Sequence, residues 1–181
     1  MLNLKKYIDT YSDLISSDDS IKKLEDLYQY LSKTKNNIFV FGNGGSAAIA
    51  DHFAVDMTKN ANKRTFSLNT APLITCLAND FGYELWMQKS LEMYANESDI
   101  VFLISSSGNS RNVVNACNYA NSMNMKTITF TGFEKNNSLR SIGSTNFWVD
   151  SKSYNIVENI HQIWILSLVD LIIGKSVYSA S

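Results

Sequence analysis

The chain has 181 residues, 45% of them hydrophobic, and a formal net charge of −1 at neutral pH. This size predicts one domain over residues 1–181 with a substantial apolar core. The balanced charge and the single proline argue against a nucleic-acid partner and against a long disordered tail.

The first 34 residues place apolar side chains at mostly helical spacing, which predicts two helices or one broken helix. Asp18 and Asp19 are typical of the turn or cap between the two stretches. Four charged residues between positions 5 and 13 interrupt the apolar segment that a signal peptide needs. We therefore expect a helical segment over residues 1–34, an α/β core over residues 35–181, and a cytoplasmic protein.

A short β-rich run, Asn37–Phe41, predicts the first strand, and it ends in the glycine loop, residues 42–46. A helical pattern follows over Ala47–Thr58. The same unit recurs where the run Asp99–Ile104 leads into the serine loop, residues 105–110, and then into another helical stretch. The chain thus repeats a strand, a polar loop and a helix.

The remaining pattern predicts three more strands and two more helices, at Thr65–Asn69, Lys126–Thr131, Asn146–Asp150, Tyr83–Ala95 and Asn136–Ile142. Strands that alternate with helices favour right-handed crossovers and a sheet covered on both faces. We therefore predict an α/β fold, a three-layer α/β/α sandwich with a mostly parallel five-stranded sheet of the flavodoxin-like type.

The most apolar run, residues 160–173, includes His161, Gln162 and Asp170. It is shorter than the ~20 residues that cross a bilayer. It predicts a buried helix, and we expect no membrane segment.

The glycine loop combines backbone freedom with the start of a helix. Gly42, Gly44 and Gly45 lack a Cβ, so the backbone can turn tightly and bring N–H groups close to a ligand. Ser46 begins a helix whose positive end favours an anion. Ligands of parallel α/β sheets bind beyond the carboxyl ends of the strands, where this loop falls. The loop suits a phosphorylated or polyhydroxylated ligand.

The serine loop supplies complementary chemistry. Ser105, Ser106, Ser107 and Ser110 offer hydroxyls and backbone N–H groups at the start of the next helix. Neutral donors of this kind bind phosphate oxygens without lysine. By itself, such a cluster is equally typical of a serine-rich helix cap.

Other phosphate-binding patterns fit less well. Gly42-x-Gly44-x-x-Ala47 also matches a dinucleotide fingerprint, but Asn69 and Thr70 stand where the ribose-binding acidic residue is expected. A P-loop is excluded because no G-K-[ST] completes the glycine loop.

Together these residues resemble the sugar isomerase (SIS) family, in which a glycine-rich loop and a serine-rich loop, S-x-S-G-x-S, cradle the phosphate of a phosphosugar. Within it, the glycine loop, His52-Phe53-Ala54, the N-D-F-G run at 79–82 and a last helix with Glu158 and His161 look like the phosphoheptose isomerases. The resemblance runs from about residue 37 to residue 173. It implies a phosphorylated sugar bound by Asn43, Gly44, Gly45, Ser46, Asn79, Asp80, Ser105, Ser106, Ser107, Ser110 and Glu158.

The resemblance also implies a catalytic and metal-binding set that this chain keeps only in part. The family has a histidine and a glutamate four residues apart on one helix, then a glutamine and a histidine on the last helix. Here His52 matches the first ligand, Asp56 replaces the glutamate, Glu158 replaces the glutamine, and Leu166 stands in place of the second histidine. His52, Asp56 and Glu158 are the expected catalytic residues and the expected ligands of zinc or another divalent metal.

The spacing of these residues leaves alternatives open. His52 and Asp56 lie at i and i+4 on one helix face, and Glu158 and His161 at i and i+3 on another. Both pairs could converge on one ion, or they could be surface and packing residues. The apolar neighbours of His161 favour a core histidine.

Two functions follow from the resemblance. The first is an aldose-ketose isomerase that acts on a sugar phosphate such as sedoheptulose 7-phosphate in heptose and surface-polysaccharide biosynthesis, assembled as a homotetramer. The second is a non-catalytic SIS protein, either a phosphosugar sensor or a protein-binding tetramer that resembles the replication-initiator-associating relative. Asp56 and Glu158 favour the first function, whereas Leu166 favours the second.

Overall fold

The computed structural model describes residues 3–178, which form eight helices and five strands. In chain order they are α1 (Leu4–Ile15), α2 (Asp18–Lys33), β1 (Ile38–Gly42), α3 (Gly45–Lys59), β2 (Thr65–Ser67), α4 (Ala71–Phe81), α5 (Trp86–Tyr94), β3 (Ile100–Ser105), α6 (Arg111–Ser122), β4 (Lys126–Thr131), α7 (Ser138–Ile142), β5 (Thr145–Trp148) and α8 (Tyr154–Ile173).

The five strands form one parallel sheet in the order β2-β1-β3-β4-β5. The chain moves from β1 outward to β2 and then returns to place β3 on the other side of β1, so the strand order reverses between β1 and β3. Gly42 pairs with Ile104, and Ser105 pairs with Thr131. The loops after β1, β3 and β4 therefore leave from one edge, at the reversal point where such sheets bind ligands.

Helices cover both faces of the sheet because the strands are apolar on both sides. Alternate residues of β1 divide between two cores, with Ile38 and Val40 on one face and Phe39 and Phe41 on the other. The first core packs against α2, α3 and α8, and the second against α4, α5, α6 and α7. The predicted three-layer sandwich with a parallel five-stranded sheet is confirmed.

One helix was absent from the sequence-based prediction. The segment Ala71–Phe81 forms α4, with Pro72 in its first turn. Proline is accepted in the first turn of a helix, because its missing N–H would have no intrahelical partner there. The last helix is also longer than the apolar run 160–173, since α8 begins at Tyr154.

The helix α8 has 20 residues and is long and apolar enough to cross a membrane by those criteria alone. Its inner face is instead built into the first core, where Val157, Ile160, Ile165 and Leu168 are fully buried. The expectation of a buried core helix is confirmed for this face.

His161 is the polar member of that inner face and is completely buried. Its Nε2 lies 3.0 Å from the carbonyl oxygen of Thr131 at the end of β4. Since a carbonyl only accepts, Nε2 carries the proton, and the buried Nδ1 has no partner among residues 3–178. Burial lowers the pKa of His161 to about 4, and the bond to Thr131 opposes the shift. The structure thus supports the core-histidine interpretation.

Acidification should therefore destabilise the fold through His161. Its folded-state pKa of about 4 lies below the unfolded value, so the unfolded chain binds the extra proton first and stability falls from about pH 6.5 towards pH 4. Between pH 7 and pH 5, the parent should lose about 2 kcal/mol more unfolding free energy than His161→Gln, which stays neutral. Urea unfolding at both pH values measures the difference. Equal losses in the two proteins would contradict the assignment.

Candidate active site

The glycine loop and the serine loop border one cavity of about 200 Å³ at the carboxyl edge of the sheet. Helix α8 closes its third side. The lining residues are Asn43, Ser46, Ile104, Ser105, Ser106, Ser107, Ser110, Tyr154 and Glu158. A second chamber of about 430 Å³ adjoins it and shares Asn43 and Ser110 with it. The parallel register therefore brings polar groups from three separate segments together.

The glycine loop turns sharply before α3. Gly44 has φ 56° and ψ −122°, a backbone conformation that residues with a Cβ rarely adopt. Helix α3 begins at the next residue, Gly45, and no side chain caps its first turn. The positive end of this helix is thus left uncapped by protein side chains beside the cavity.

Gly45 matters for a different reason: its missing side chain leaves space for the carboxyl group of Glu158. A Cβ at this position would lie 2.7 Å from Cδ of Glu158 and would overlap its carboxylate oxygens. The Glu158 carboxyl group therefore occupies the volume that any other residue 45 would fill. This contact seats the first turns of α8 against the start of α3.

The Glu158 carboxyl group is perturbed by its surroundings. Burial raises its pKa above the ordinary value, and the nearby Ser106 hydroxyl opposes the shift. The approach of Ser106 Oγ falls outside regular hydrogen-bond geometry, since Oγ is buried and has no partner within residues 3–178. A carboxyl group with a raised pKa is suited to proton transfer near neutral pH.

The serine hydroxyls differ in what they can still bind. Ser105 Oγ donates to Ser110 Oγ at 3.2 Å and accepts from the N–H of Gly108 at 3.2 Å. Ser107 Oγ accepts from the N–H of Asn109 at 3.2 Å. Ser106 Oγ alone among the four is both buried and unpaired. These contacts make Ser105 a brace within the loop and leave Ser106 for a ligand.

The serine loop is anchored to the sheet by backbone bonds. The N–H of Gly132 donates to the carbonyl of Ser106 at 2.9 Å, and the N–H of Leu139 donates to that of Gly108 at 2.9 Å. Gly132 directly follows Thr131, whose carbonyl accepts from His161. The buried histidine on α8 is therefore two hydrogen bonds from Ser106.

The predicted pair His52 and Asp56 lies away from this cavity within one chain. Nε2 of His52 is 3.2 Å from Oδ2 of Asp56, and Asn60 also donates to Asp56. His52 is seven residues beyond Gly45, which corresponds to ~10 Å along α3. The helix carries the pair away from the Glu158 carboxylate.

The expected metal set is therefore not assembled by one chain. Across residues 3–178, no group of three His, Cys, Asp or Glu side chains is placed to hold a metal ion. Within residues 3–178, His52 and Asp56 pair with each other on α3 and do not converge with Glu158. Their assignment as catalytic residues and metal ligands stays a prediction. Leu166 lines an open groove between α1 and α8 instead of the cavity.

Two more predicted substrate residues also lie outside the cavity. Asn79 and Asp80 are exposed at the end of α4, where the Asn79 amide donates to Asp80 at 2.8 Å and the thiol of Cys76 lies 3.8 Å from Asp80. Neither residue lines either of the two chambers. Their substrate contacts stay a prediction.

Tyr154, Tyr83 and Asn112 lie at the site but were not predicted from the sequence. Tyr154 lines the cavity one helical turn before Glu158, so its i−4 spacing from Glu158 was an available clue. Tyr83 and Asn112 line the adjoining chamber and hydrogen-bond to Asn43. Their hydrogen bonds to Asn43 join residues that are 40 and 69 positions apart in the chain, so no local sequence pattern predicts them.

Comparison with known proteins assigns these features to a family. The family model for the SIS domain matches residues 5–132. A Thermoplasma acidophilum protein named "Probable phosphoheptose isomerase" is 32% identical over 168 residues, which cover 88% of this chain and 92% of that protein. The phosphoheptose isomerase of Helicobacter pylori is 30% identical over 178 residues, with the same two coverages.

A solved structure shows the same fold. The phosphoheptose isomerase of Neisseria gonorrhoeae superposes with a TM-score of 0.85 at 24% identity, and the match covers 93% of this chain and 94% of that one.

Replacing Gly45 tests the seating of Glu158. Gly45→Ala should push the carboxylate towards solvent and lower its pKa towards the ordinary value for a glutamate. The overlap falls on the end of a flexible side chain, so the unfolding free energy should change by less than ~1 kcal/mol. Titration of the glutamate Cδ signals by ¹³C NMR measures the shift. Ala48→Ser, which adds one atom at an exposed position of the same turn, serves as control; an unaltered Glu158 pKa in Gly45→Ala would refute the contact.

Proposed function

Because this chain belongs to the SIS domain family, we propose that it is an aldose-ketose isomerase that acts on a phosphorylated sugar. Sedoheptulose 7-phosphate is the substrate class that its relatives' names suggest, and heptose biosynthesis is the corresponding role. The protein-binding or sensor alternative is not favoured by these relatives.

The observation that carries the proposal is the position of one carboxyl group. Glu158, whose pKa is raised by burial, lies in the same small cavity as the uncapped start of α3 and the free hydroxyl of Ser106. A phosphate held by the neutral donors of the two loops would bring the sugar carbons beside this carboxylate. A phosphate site without a base would instead suit a sensor.

The proposed chemistry moves one proton between adjacent carbons. The carboxylate of Glu158 takes a proton from C1 of the ketose, and the electron pair of that C–H bond forms the C1–C2 double bond of an enediol. The former carbonyl oxygen at C2 takes a proton as its charge develops, which gives the enediol. The C1 hydroxyl then loses its proton, and that O–H electron pair forms the C1–O double bond of the aldose. The electron pair of the C1–C2 double bond takes the proton held by Glu158 onto C2. Hydrogen-bond donors beside the sugar carbons stabilise the developing negative charge on oxygen.

Glu158→Gln should lower kcat by ~10²- to 10⁴-fold, because it removes the proton acceptor, and should leave KM within a few-fold. Since ionised Glu158 is the base and its pKa is raised, kcat/KM of the parent should increase with pH up to a higher pH than an ordinary carboxylate would allow. Turnover of a panel of ketose phosphates measures both effects.

Glu97→Gln is the matched control for this test. It makes the same chemical change at an exposed position before β3, at the opposite edge of the sheet, and should retain parental turnover. A Glu158→Gln protein as active as Glu97→Gln would remove Glu158 from the mechanism. Absence of turnover in the parent with every ketose phosphate would reject the isomerase itself.

We also propose that the chain forms a homotetramer. An open groove of about 870 Å³ runs between α1 and α8, and its apolar members include Ile8 and Ile163, which are 54% and 45% exposed. Val55, on α3 between His52 and Asp56, is 59% exposed. Apolar surface of this extent is typical of subunit contacts. A second copy could cover the His52–Asp56 face and share it with a neighbouring cavity.

The proposed assembly gives His52 and Asp56 the catalytic role that one chain does not. A divalent metal such as zinc would need more ligands than residues 3–178 of one chain bring together, so we assign no step to a metal. Asp56 of one subunit would serve as a second acid–base group in the cavity of its neighbour, whereas Glu158 serves the cavity of its own subunit.

Mixing two inactive variants tests the shared site. Asp56→Asn and Glu158→Gln should each be inactive, whereas oligomers refolded from both chains should regain turnover, since some sites then combine an intact Asp56 with an intact Glu158. Light scattering should give a mass about four times 20.3 kDa. A stable monomer would reject the assembly, and a tetramer without regained turnover would confine each site to one chain.

A further inference from the structure

The side-chain amide of Asn43 stands at the boundary between the two chambers at the edge of the sheet. We propose that Asn112 and Tyr83 are positioning residues that hold this amide in one orientation and make Asn43 a hydrogen-bond donor only towards the ligand. The identity of that ligand as a phosphorylated sugar rests on the proposed function. The fixed polarity of the amide does not.

The two amides form a reciprocal pair. Nδ2 of Asn43 donates to Oδ1 of Asn112 at 3.0 Å, and Nδ2 of Asn112 donates to Oδ1 of Asn43 at 2.9 Å. Asn112 is only 3% exposed and lies in the first turn of α6. A buried amide that loses its partners is destabilising, so the pair should persist when the cavity is empty.

The orientation of the pair is set by a group that can only donate. The backbone N–H of Val113 donates to Oδ1 of Asn112 at 3.1 Å and shares this hydrogen with the carbonyl oxygen of Ser110 at 3.0 Å. Turning the Asn112 amide by 180° would place its NH₂ group against this N–H, which has no acceptor to offer. Nδ2 of Asn112 must therefore face Asn43, and the atom of Asn43 opposite it must be the oxygen.

Tyr83 completes the arrangement from the other chamber. Its hydroxyl donates to Oδ1 of Asn43 at 3.0 Å, so that oxygen accepts two hydrogen bonds and has no lone pair left. Nδ2 of Asn43 uses one of its two N–H bonds on Asn112. The second N–H has no partner among residues 3–178, and it is all that Asn43 can offer a ligand.

This polarity selects the ligand atom that sits against Asn43. A free asparagine amide binds a sugar hydroxyl in either sense, because both groups donate and accept. A donor-only Asn43 binds an atom that accepts, and a phosphate oxygen accepts more strongly than a neutral hydroxyl. Asn43 therefore acts as an oxyanion donor, and its orientation is set by Asn112 and Tyr83, neither of which lines the smaller cavity.

The first test uses the parent protein and inorganic phosphate. The two Nδ2 protons of Asn43 give separate ¹H–¹⁵N signals, assigned by comparison with Asn43→Ser. Phosphate should shift the proton that faces the cavity and leave the one bonded to Asn112 nearly unmoved. Equal shifts of both protons, or no shift of either, would overturn the proposal.

The second test changes the polarity. In Asn112→Asp an ionised carboxylate oxygen, which only accepts, replaces the NH₂ group that donates to Asn43 Oδ1. The Asn43 amide is then no longer held in a single orientation. Phosphate affinity at pH 7 should fall about tenfold or more, the cost of losing a hydrogen bond to a charged group. The affinity relative to the parent should recover as the pH falls and the introduced carboxylate is protonated, because the acid then donates to Asn43 Oδ1. Tyr83→Phe should also weaken phosphate binding, but by a smaller factor than Asn112→Asp.

Asn118→Asp is the control for charge, since Asn118 is exposed on the same helix and makes no contact with Asn43. It should change phosphate affinity by less than ~3-fold at any pH, as expected for a solvent-screened charge. Equal losses in Asn112→Asp and Asn118→Asp, or a loss in Asn112→Asp that low pH does not reverse, would refute the positioning role. A parent that gives the expected NMR shift but does not isomerise sedoheptulose 7-phosphate would contradict the proposed function alone.

Discussion

The contact between Gly45 and the Glu158 carboxylate determines how the site is built. It allows α8 to begin directly beside the start of α3, so that a carboxyl group and an uncapped helix end share one small cavity. The same closeness removes water from the carboxyl group and raises its pKa. An anion that binds nearby would favour the protonated form further, so substrate binding and proton affinity are coupled at Glu158.

The parallel sheet supplies the rest of the geometry. Because neighbouring strands are in register, the loops after β1 and β3 end at the same height, and the strand order reverses between them. The buried His161 then ties α8 to the end of β4, from which Gly132 holds the carbonyl of Ser106. The Glu158 carboxyl group, the free hydroxyl of Ser106 and the loop that presents it are thus all attached to one buried core instead of to surface segments.

Much of this was predictable from local patterns. Hydrophobic runs located the five strands, and the glycines and serines located both loops, because turn chemistry and strand burial are properties of neighbouring residues. The Gly45–Glu158 contact and the Asn43–Asn112 pair were not predictable, since each joins residues far apart in the chain. The separation of His52 from Glu158 within one chain was not predictable either, because helical spacing fixes a face of a helix but not the distance between two helices.

The proposed reaction is proton transfer through an enediol, on a phosphorylated ketose bound in the cavity between the glycine loop and the serine loop. The most direct measurement is ¹H NMR of sedoheptulose 7-phosphate in deuterated buffer with the parent protein and with Glu158→Gln. The parent should exchange a C1 proton for deuterium and produce aldose phosphate, and Glu158→Gln should do neither at a comparable rate. Tight binding of the sugar phosphate to the parent without exchange or aldose formation would contradict it and would indicate a binding protein.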